Sequence, residues 1–176
     1  EYAREPNDEQ RYFVDLALSA GADIVLGCHP HVIQPIEVRQ VQDEFGRDLP
    51  RAVIYSLGNF ISNQDGLYRE AGLMMLIDVA KEDGVARVEQ VSFVPTWVHG
   101  YQSRGQQRYR VVAVEQALRD YEAGLDPYLT PADYQRLREV WDDTTRQAVG
   151  SPEVSVWSVD QPRQHPSAQA TAPGAS

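Results

Sequence analysis

Two imidazoles separated by one residue are the sharpest chemical feature of this sequence, His29-Pro30-His31. In an extended segment residues i and i+2 project to the same side, so both rings could reach one site. Pro30 biases His29 toward the extended region and fixes its own φ. Neutral imidazole binds zinc, iron or manganese at pH 7 without losing a proton. Two ligands do not complete a shell of four or more, so the spacing alone leaves metal binding and ordinary loop hydrogen bonding as alternatives. Cys28 is adjacent to His29 and faces the other side of an extended chain. It reads as a half-buried structural thiol, not as a nucleophile with His29 as its base.

The elements around this pair must present it. Asn7 or Asp8 caps a helix whose apolar face is Tyr12, Phe13, Leu16, Ala17 and Ala20, and Gly21 ends it. Asp23 to Gly27 is then a short apolar run, a candidate buried parallel strand. The histidines follow at its C-terminal end, where open α/β sheets place their ligands. Ile36–Gln40 and Arg51–Tyr55 form a hairpin across the polar loop 43–48, and Ser56–Gln64 (SLGNFISNQ) is a loop. Residues 72–80 and 85–94 form a second hairpin about Glu82-Asp83-Gly84, and 109–114 adds a strand. A helix over 115–123 closes at Gly124. Another starts at Thr130-Pro131, with Tyr134, Leu137, Val140 and Trp141 on one face. From Ser151 onward the composition is rich in Pro, Ser and Ala, which predicts a largely disordered tail.

The whole chain has 176 residues, 26 acidic against 16 basic side chains and a net charge of -10. That length supports one core. The acidic balance argues against nucleic acid as a partner, since phosphate neutralisation needs a basic face. Arg104, Arg108 and Arg110 are the only local basic grouping and read as a solvated face. A single cysteine excludes an internal disulfide framework and a Cys-based zinc ribbon. No apolar run approaches the ~20 residues of a transmembrane helix. A start at Glu1, with neither Met nor a leader segment, reads as a piece of a longer polypeptide.

At this point the sequence resembles a known family. Gly21 to Glu37 (GADIVLGCHPHVIQPIE) closely resembles the bacterial capsule synthesis protein CapA family, associated with poly-γ-glutamate capsule production. Ile54 to Ile61 (IYSLGNFI) is similar to its second signature, and Val94 to Val98 (VPTWV) to a later one. The resemblance covers about residues 1–114. It implies an α/β (α+β) fold, the C-terminal part of a calcineurin-like metallophosphoesterase β-sandwich flanked by helices. Residues 1–114 would be that portion, 115–150 C-terminal helices and 151–176 the disordered tail. In that superfamily a late His-x-His element serves a pair of divalent transition metals (Mn, Fe or Zn), and the matching positions here are His29 and His31. The superfamily's earlier Asp-x-His, Gly-Asp and Asn-His ligand elements have no counterpart in these residues, so the chain alone is expected to be inactive. Asn59 does not replace the Asn-His element, because Phe60 stands where a ligand is required.

The resemblance also places Asn59, with Ser56 and Gly58, near the metal cleft, in a substrate-binding or ligand-supporting role. A loop side chain bonding its own backbone is the plainer reading. Asn63, Gln64 and Asp65 are weaker candidates. His99, beside Trp97 and Tyr101, reads as a packed residue, and His165 carries no expected role. Trp97 and Trp141 read as core anchors. Glu37, Asp78 and Glu89, and the set Glu139, Asp142 and Asp143, read as solvent-facing. Two functions follow from the resemblance. One is a metal-dependent phosphoesterase-type hydrolase of capsule biosynthesis when complete. The other is a non-catalytic cell-envelope assembly or export protein that keeps the fold. Either places the protein with the capsule polymer biosynthesis machinery at the bacterial cell envelope.

Overall fold

The computed structural model describes residues 1–64, 66 and 68–160. Helix α1 (Asp8–Ser19) opens with a reciprocal cap: the Asn7 side chain accepts from the Gln10 amide at 2.8 Å, and the Gln10 side chain accepts from the Asn7 amide at 3.1 Å. Its buried residues are Val14 and Leu18, which pack on Val53 and Tyr55. The stripe expected to be buried is not: Tyr12, Phe13 and Leu16 are 62%, 57% and 52% exposed. The helix carries apolar residues on two stripes, and the sheet beneath takes up only one.

That sheet holds β1 (Ile24–Leu26), β2 (Ile36–Gln42) and β3 (Asp48–Ile54) in the order β1-β3-β2. β1 runs parallel to β3, as its position after a helix predicts, while β2 and β3 form the antiparallel hairpin. β1 is not a buried strand, because it lies at the sheet edge with Ile24 37% and Leu26 57% exposed.

The second sheet is built on β5 (Val85–Ser103), flanked by β4 (Ala71–Glu82), β6 (Gln106–Ala113) and the short parallel β7 (Val154–Val156). Asp83 and Gly84 join β4 to β5 with φ values of 51° and 82°, the two left-handed residues of a type I′ turn. Arg104 and Gly105, at 52° and 72°, repeat the device between β5 and β6. The sequence reading missed that turn and began β6 three residues late.

Helices α2 (Val114–Glu122) and α3 (Pro131–Ala148) follow. Thr130 and Asp133 form the cap expected at the start of α3. One core cluster joins Ile36, Ala52 and Ile54 of the first sheet, Leu73, Val91, Phe93 and Trp97 of the second, and Leu137, Val140 and Ala148 of α3. Trp141 packs at its margin. Among the described residues the result is an α+β architecture of two sheets and three helices.

The tail is ordered over its first residues, contrary to expectation. Val154–Val156 pairs with Val91–Phe93, the Trp157 amide donates to the Phe93 carbonyl at 2.9 Å, and Ser151 Oγ accepts from the Val38 amide at 2.8 Å. The alternation Val154-Ser155-Val156 is a strand pattern hidden in a Pro- and Ser-rich stretch. Residues 161–176, with His165, lie outside the described residues, as does Asp65.

Candidate functional site

The segment from Gly27 to Gln34 leaves the end of β1 and is fastened at both ends. Gly27 N donates to the Ile54 carbonyl at 2.7 Å and Gln34 N to the Ser56 carbonyl at 3.0 Å, while Ile33 bridges Leu57. Between these anchors the backbone is not extended. His29 has φ 107° and His31 has φ 59°, both in the region that favours glycine. The i and i+2 geometry expected of a strand is therefore absent. The two rings are near neighbours for another reason, the reversal itself, which leaves their centroids 6.2 Å apart. Each such conformation costs on the order of 1–3 kcal/mol and persists only where its surroundings hold it.

His31 is held by Asn59. The Asn59 Nδ2 donates to the carbonyls of Arg69 at 2.7 Å and His31 at 3.3 Å, so its Oδ1 is the end that meets His31 Nδ1 at 3.0 Å. An imidazole nitrogen facing an amide oxygen must carry the hydrogen, which fixes the tautomer by the hydrogen-bond network. His31 Nε2 then holds the lone pair. Tyr2 closes the other side: its amide donates to the Pro30 carbonyl at 2.8 Å and its ring centroid is 6.2 Å from that of His31. The Arg69 guanidinium lies 5.4 Å above the Tyr2 ring. His29 is exposed and His31 half-buried.

Among the described residues no third His, Cys, Asp or Glu joins the two histidines in a cluster of metal ligands. The donor chemistry still fits a transition metal: two reachable imidazoles, one with its ring fixed by a hydrogen bond and its free nitrogen a lone-pair donor. They supply part of a coordination shell. Cys28 is exposed, not half-buried, because the chain has already left the sheet at that point.

The other candidates separate cleanly. Gln64 Oε1 lies 3.4 Å from Asn59 Nδ2, and Asn63 is exposed. Arg104 sits in a turn, Arg108 bonds Gln106, and Arg110 turns inward to Asp126 at 2.6 Å, so these three make no common face. Asp78 and Glu89 are exposed, as expected. Glu37 is half-buried and bonds Arg39 at 2.8 Å, while Asp143 takes both oxygens to Arg4 at 2.8 and 2.9 Å. His99 is 1% exposed and stacks on Trp97 and Tyr101 at 5.0 and 5.5 Å. Its Nδ1 accepts from Arg110 Nε at 3.1 Å, and its Nε2 lies 3.5 Å from Asp133 Oδ2.

Comparison with known proteins bears on the first half of the chain. The family model described as bacterial capsule synthesis protein PGA_cap matches residues 1–64, the span that contains His29, His31 and Asn59. Over those residues the chain is similar to the CapA capsule synthesis family. The PGA biosynthesis protein CapA of Bacillus subtilis (strain 168) is 38% identical to this CapA-like chain over 89 residues, 51% of this chain and 21% of the relative. The capsule biosynthesis protein CapA of Bacillus anthracis is 36% identical over 64 residues, 36% of this chain and 13% of the relative. The matches therefore span only 21% and 13% of the length of these curated relatives. No solved structure matches the chain.

The structure adds residues that sequence reasoning passed over. Tyr2 reaches His31, and Arg69 reaches Tyr2 and Asn59, only through folding, and no local pattern marks them. Gln34, fully buried within the CapA-like motif, donates to the carbonyls of Ala3 at 2.9 Å and Glu5 at 3.1 Å and accepts from Gln10 at 2.7 Å. It ties the N-terminal segment, and with it Tyr2, to the histidine loop. A glutamine inside an otherwise apolar stretch was the available signal.

Proposed function

We propose that this CapA-like chain supplies the His29 and His31 imidazoles to a two-metal centre (Mn, Fe or Zn) of a longer protein. That protein is a metal-dependent hydrolase of the phosphoesterase type, acting in poly-γ-glutamate capsule biosynthesis at the bacterial cell envelope. Residues 1–114 are its portion of the metallophosphoesterase domain. The observation that supports this reading is the pairing of backbone strain at both histidines with a His31 ring whose free nitrogen is set by Asn59. Strain held at side chains that the fold also orients marks functional positions.

Such metals, when bound, polarise a phosphoryl oxygen and lower the pKa of a bound water. The chain's own residues have simpler tasks. His31 presents Nε2, Asn59 keeps that ring from turning, and the Tyr2–Pro30 hydrogen bond holds the reversed loop against the N-terminal segment.

The test is a calorimetric titration of the complete protein with Mn2+ and with Zn2+. Replacing His29 or His31 by Ala is expected to abolish tight binding. Asn59→Ala should weaken binding by about 10-fold or more, as loss of a ligand's orienting partner does. Unchanged stoichiometry and affinity in all three variants would overturn the assignment. Intact metal binding without turnover of p-nitrophenyl phosphate or other phosphate esters would favour an assembly or export role instead.

A further inference from the structure

The free side of the three-residue β1 is built unlike the edges of the longer strands β2 and β4. The ladder contacts Ala52 N to the Asp23 carbonyl (3.1 Å) and Gly27 N to the Ile54 carbonyl (2.7 Å) show that residues 23, 25 and 27 face β3. By the alternation of a parallel ladder, the backbone groups of Ile24 and Leu26 face away from it. Among the described residues no strand takes them up. Natural sheets protect such an edge with charge or proline. β2 does so with Glu37 and Arg39, and β4 with Asp78, Lys81 and Glu82. β1 reads Ile-Val-Leu and has neither.

Apolar surface continues from this edge on both faces of the sheet. On one face Ile24 and Leu26, aligned with Ala52 and Ile54 of the core, extend past what the second sheet covers. On the other, Phe13 and Leu16 of α1 stand exposed, and an apolar groove along β1 is lined by Phe13, Val14, Val25 and Cys28. A helix laid over this region would cover one face and leave the backbone groups unpaired. A strand satisfies all three requirements: it accepts from the outward N–H groups, donates to the outward carbonyls, and places alternate side chains under Phe13 and beside Leu26.

We propose that β1 is an interior strand of the complete sheet. Its open edge receives a β-strand, apolar on both faces, from a part of the same polypeptide outside these 176 residues. Most of the length of each CapA relative lies outside the match, which supports the same polypeptide as the source. The proposal does not depend on metal binding.

Amide hydrogen exchange, read without metal, tests it on this chain and on the protein from its complete coding sequence. The Ile24 and Leu26 amides should exchange freely in the 176-residue chain and slow by at least about 100-fold in the longer protein. Alkylation of Cys28, located by mass spectrometry, should slow in parallel. Equal exchange and alkylation in both proteins would overturn the proposal. So would protection in the short chain that rises with concentration alongside dimer formation, because a second copy would then occupy the edge. Leu26→Pro removes an outward amide and should lower the Tm of the longer protein well beyond any change in the short chain. If that variant does not fold, exchange in the unaltered proteins still decides.

Discussion

Two regions of this molecule hold histidines in opposite ways. At the end of β1, His29 and His31 sit on strained backbone with their rings reachable from outside. On β5, His99 occupies regular strand, buried, stacked between two aromatic rings and bonded to Arg110. In the first region the fold sustains an unfavourable conformation to present side chains. In the second the side chain serves the fold by linking the second sheet to the start of α3. A histidine's role here is read from what its backbone costs and what its ring reaches, and proximity to aromatics says little.

The sharpest way to break that contrast is to remove the rings. His99→Ala should cost about 3 kcal/mol, as truncation of a buried aromatic does, and it strands Arg110 Nε without its acceptor. In urea denaturation His31→Ala should cost only about 1 kcal/mol, one net hydrogen bond, because alanine keeps the Cβ and leaves the strain of φ 59° unchanged. Equal losses would erase the distinction.

A smaller and opposite effect is expected at His29. Glycine tolerates φ 107°, so His29→Gly should raise stability by about 1 kcal/mol in thermal melting, while the proposed metal binding should be lost. A gain in stability coupled to a loss of function is the signature of a site held against local preference. A decrease in Tm would place His29 among the structural residues.

The smallest effect concerns pH. Burial holds the His99 pKa below its ordinary 6.5, ahead of the opposing influence of Asp133 and with help from Arg110. Above pH 6.5 the ring is neutral in both folded and unfolded chains. As pH falls below that value the unfolded chain takes up the proton first, so stability declines until pH passes the folded-state pKa, where it levels. Denaturation midpoints between pH 7.5 and 5 should show this decline, and His99→Gln should flatten it.

Much of the fold was legible because its signals are local. Asn7, Asp83-Gly84 and Thr130-Pro131 announce a cap, a turn and a helix start through their own chemistry, and each lies where expected. The α1 face was misjudged because periodicity reports apolar stripes without saying which has a partner, and Val14 and Leu18 won the contact with β3. β7 was missed because three residues of strand leave almost no trace beside the prolines. At the candidate site, the histidine spacing was visible but its conformation was not. Extended geometry was inferred from Pro30, whereas anchors at Gly27, Ile33 and Gln34, all set by distant residues, impose the reversal. Asn59 could be suspected from its loop, and its bond to His31 joins positions 28 apart in the chain.

The crossing of the Ser56–Asn59 loop over the start of β4 has a genetic consequence. Gly58 and Gly72 form a bridge there. A methyl group on Gly58 would stand 2.6 Å from the Ala71 carbonyl oxygen, and one on Gly72 would stand 2.5 Å from that of Asn59. Neither residue offers any chemistry, yet a side chain at either would lift Asn59 off His31. In a mutational screen for loss of the proposed metal site these two glycines would score with the histidines themselves, and a map drawn from such scores would assign reactivity to positions whose whole contribution is the lack of a carbon atom.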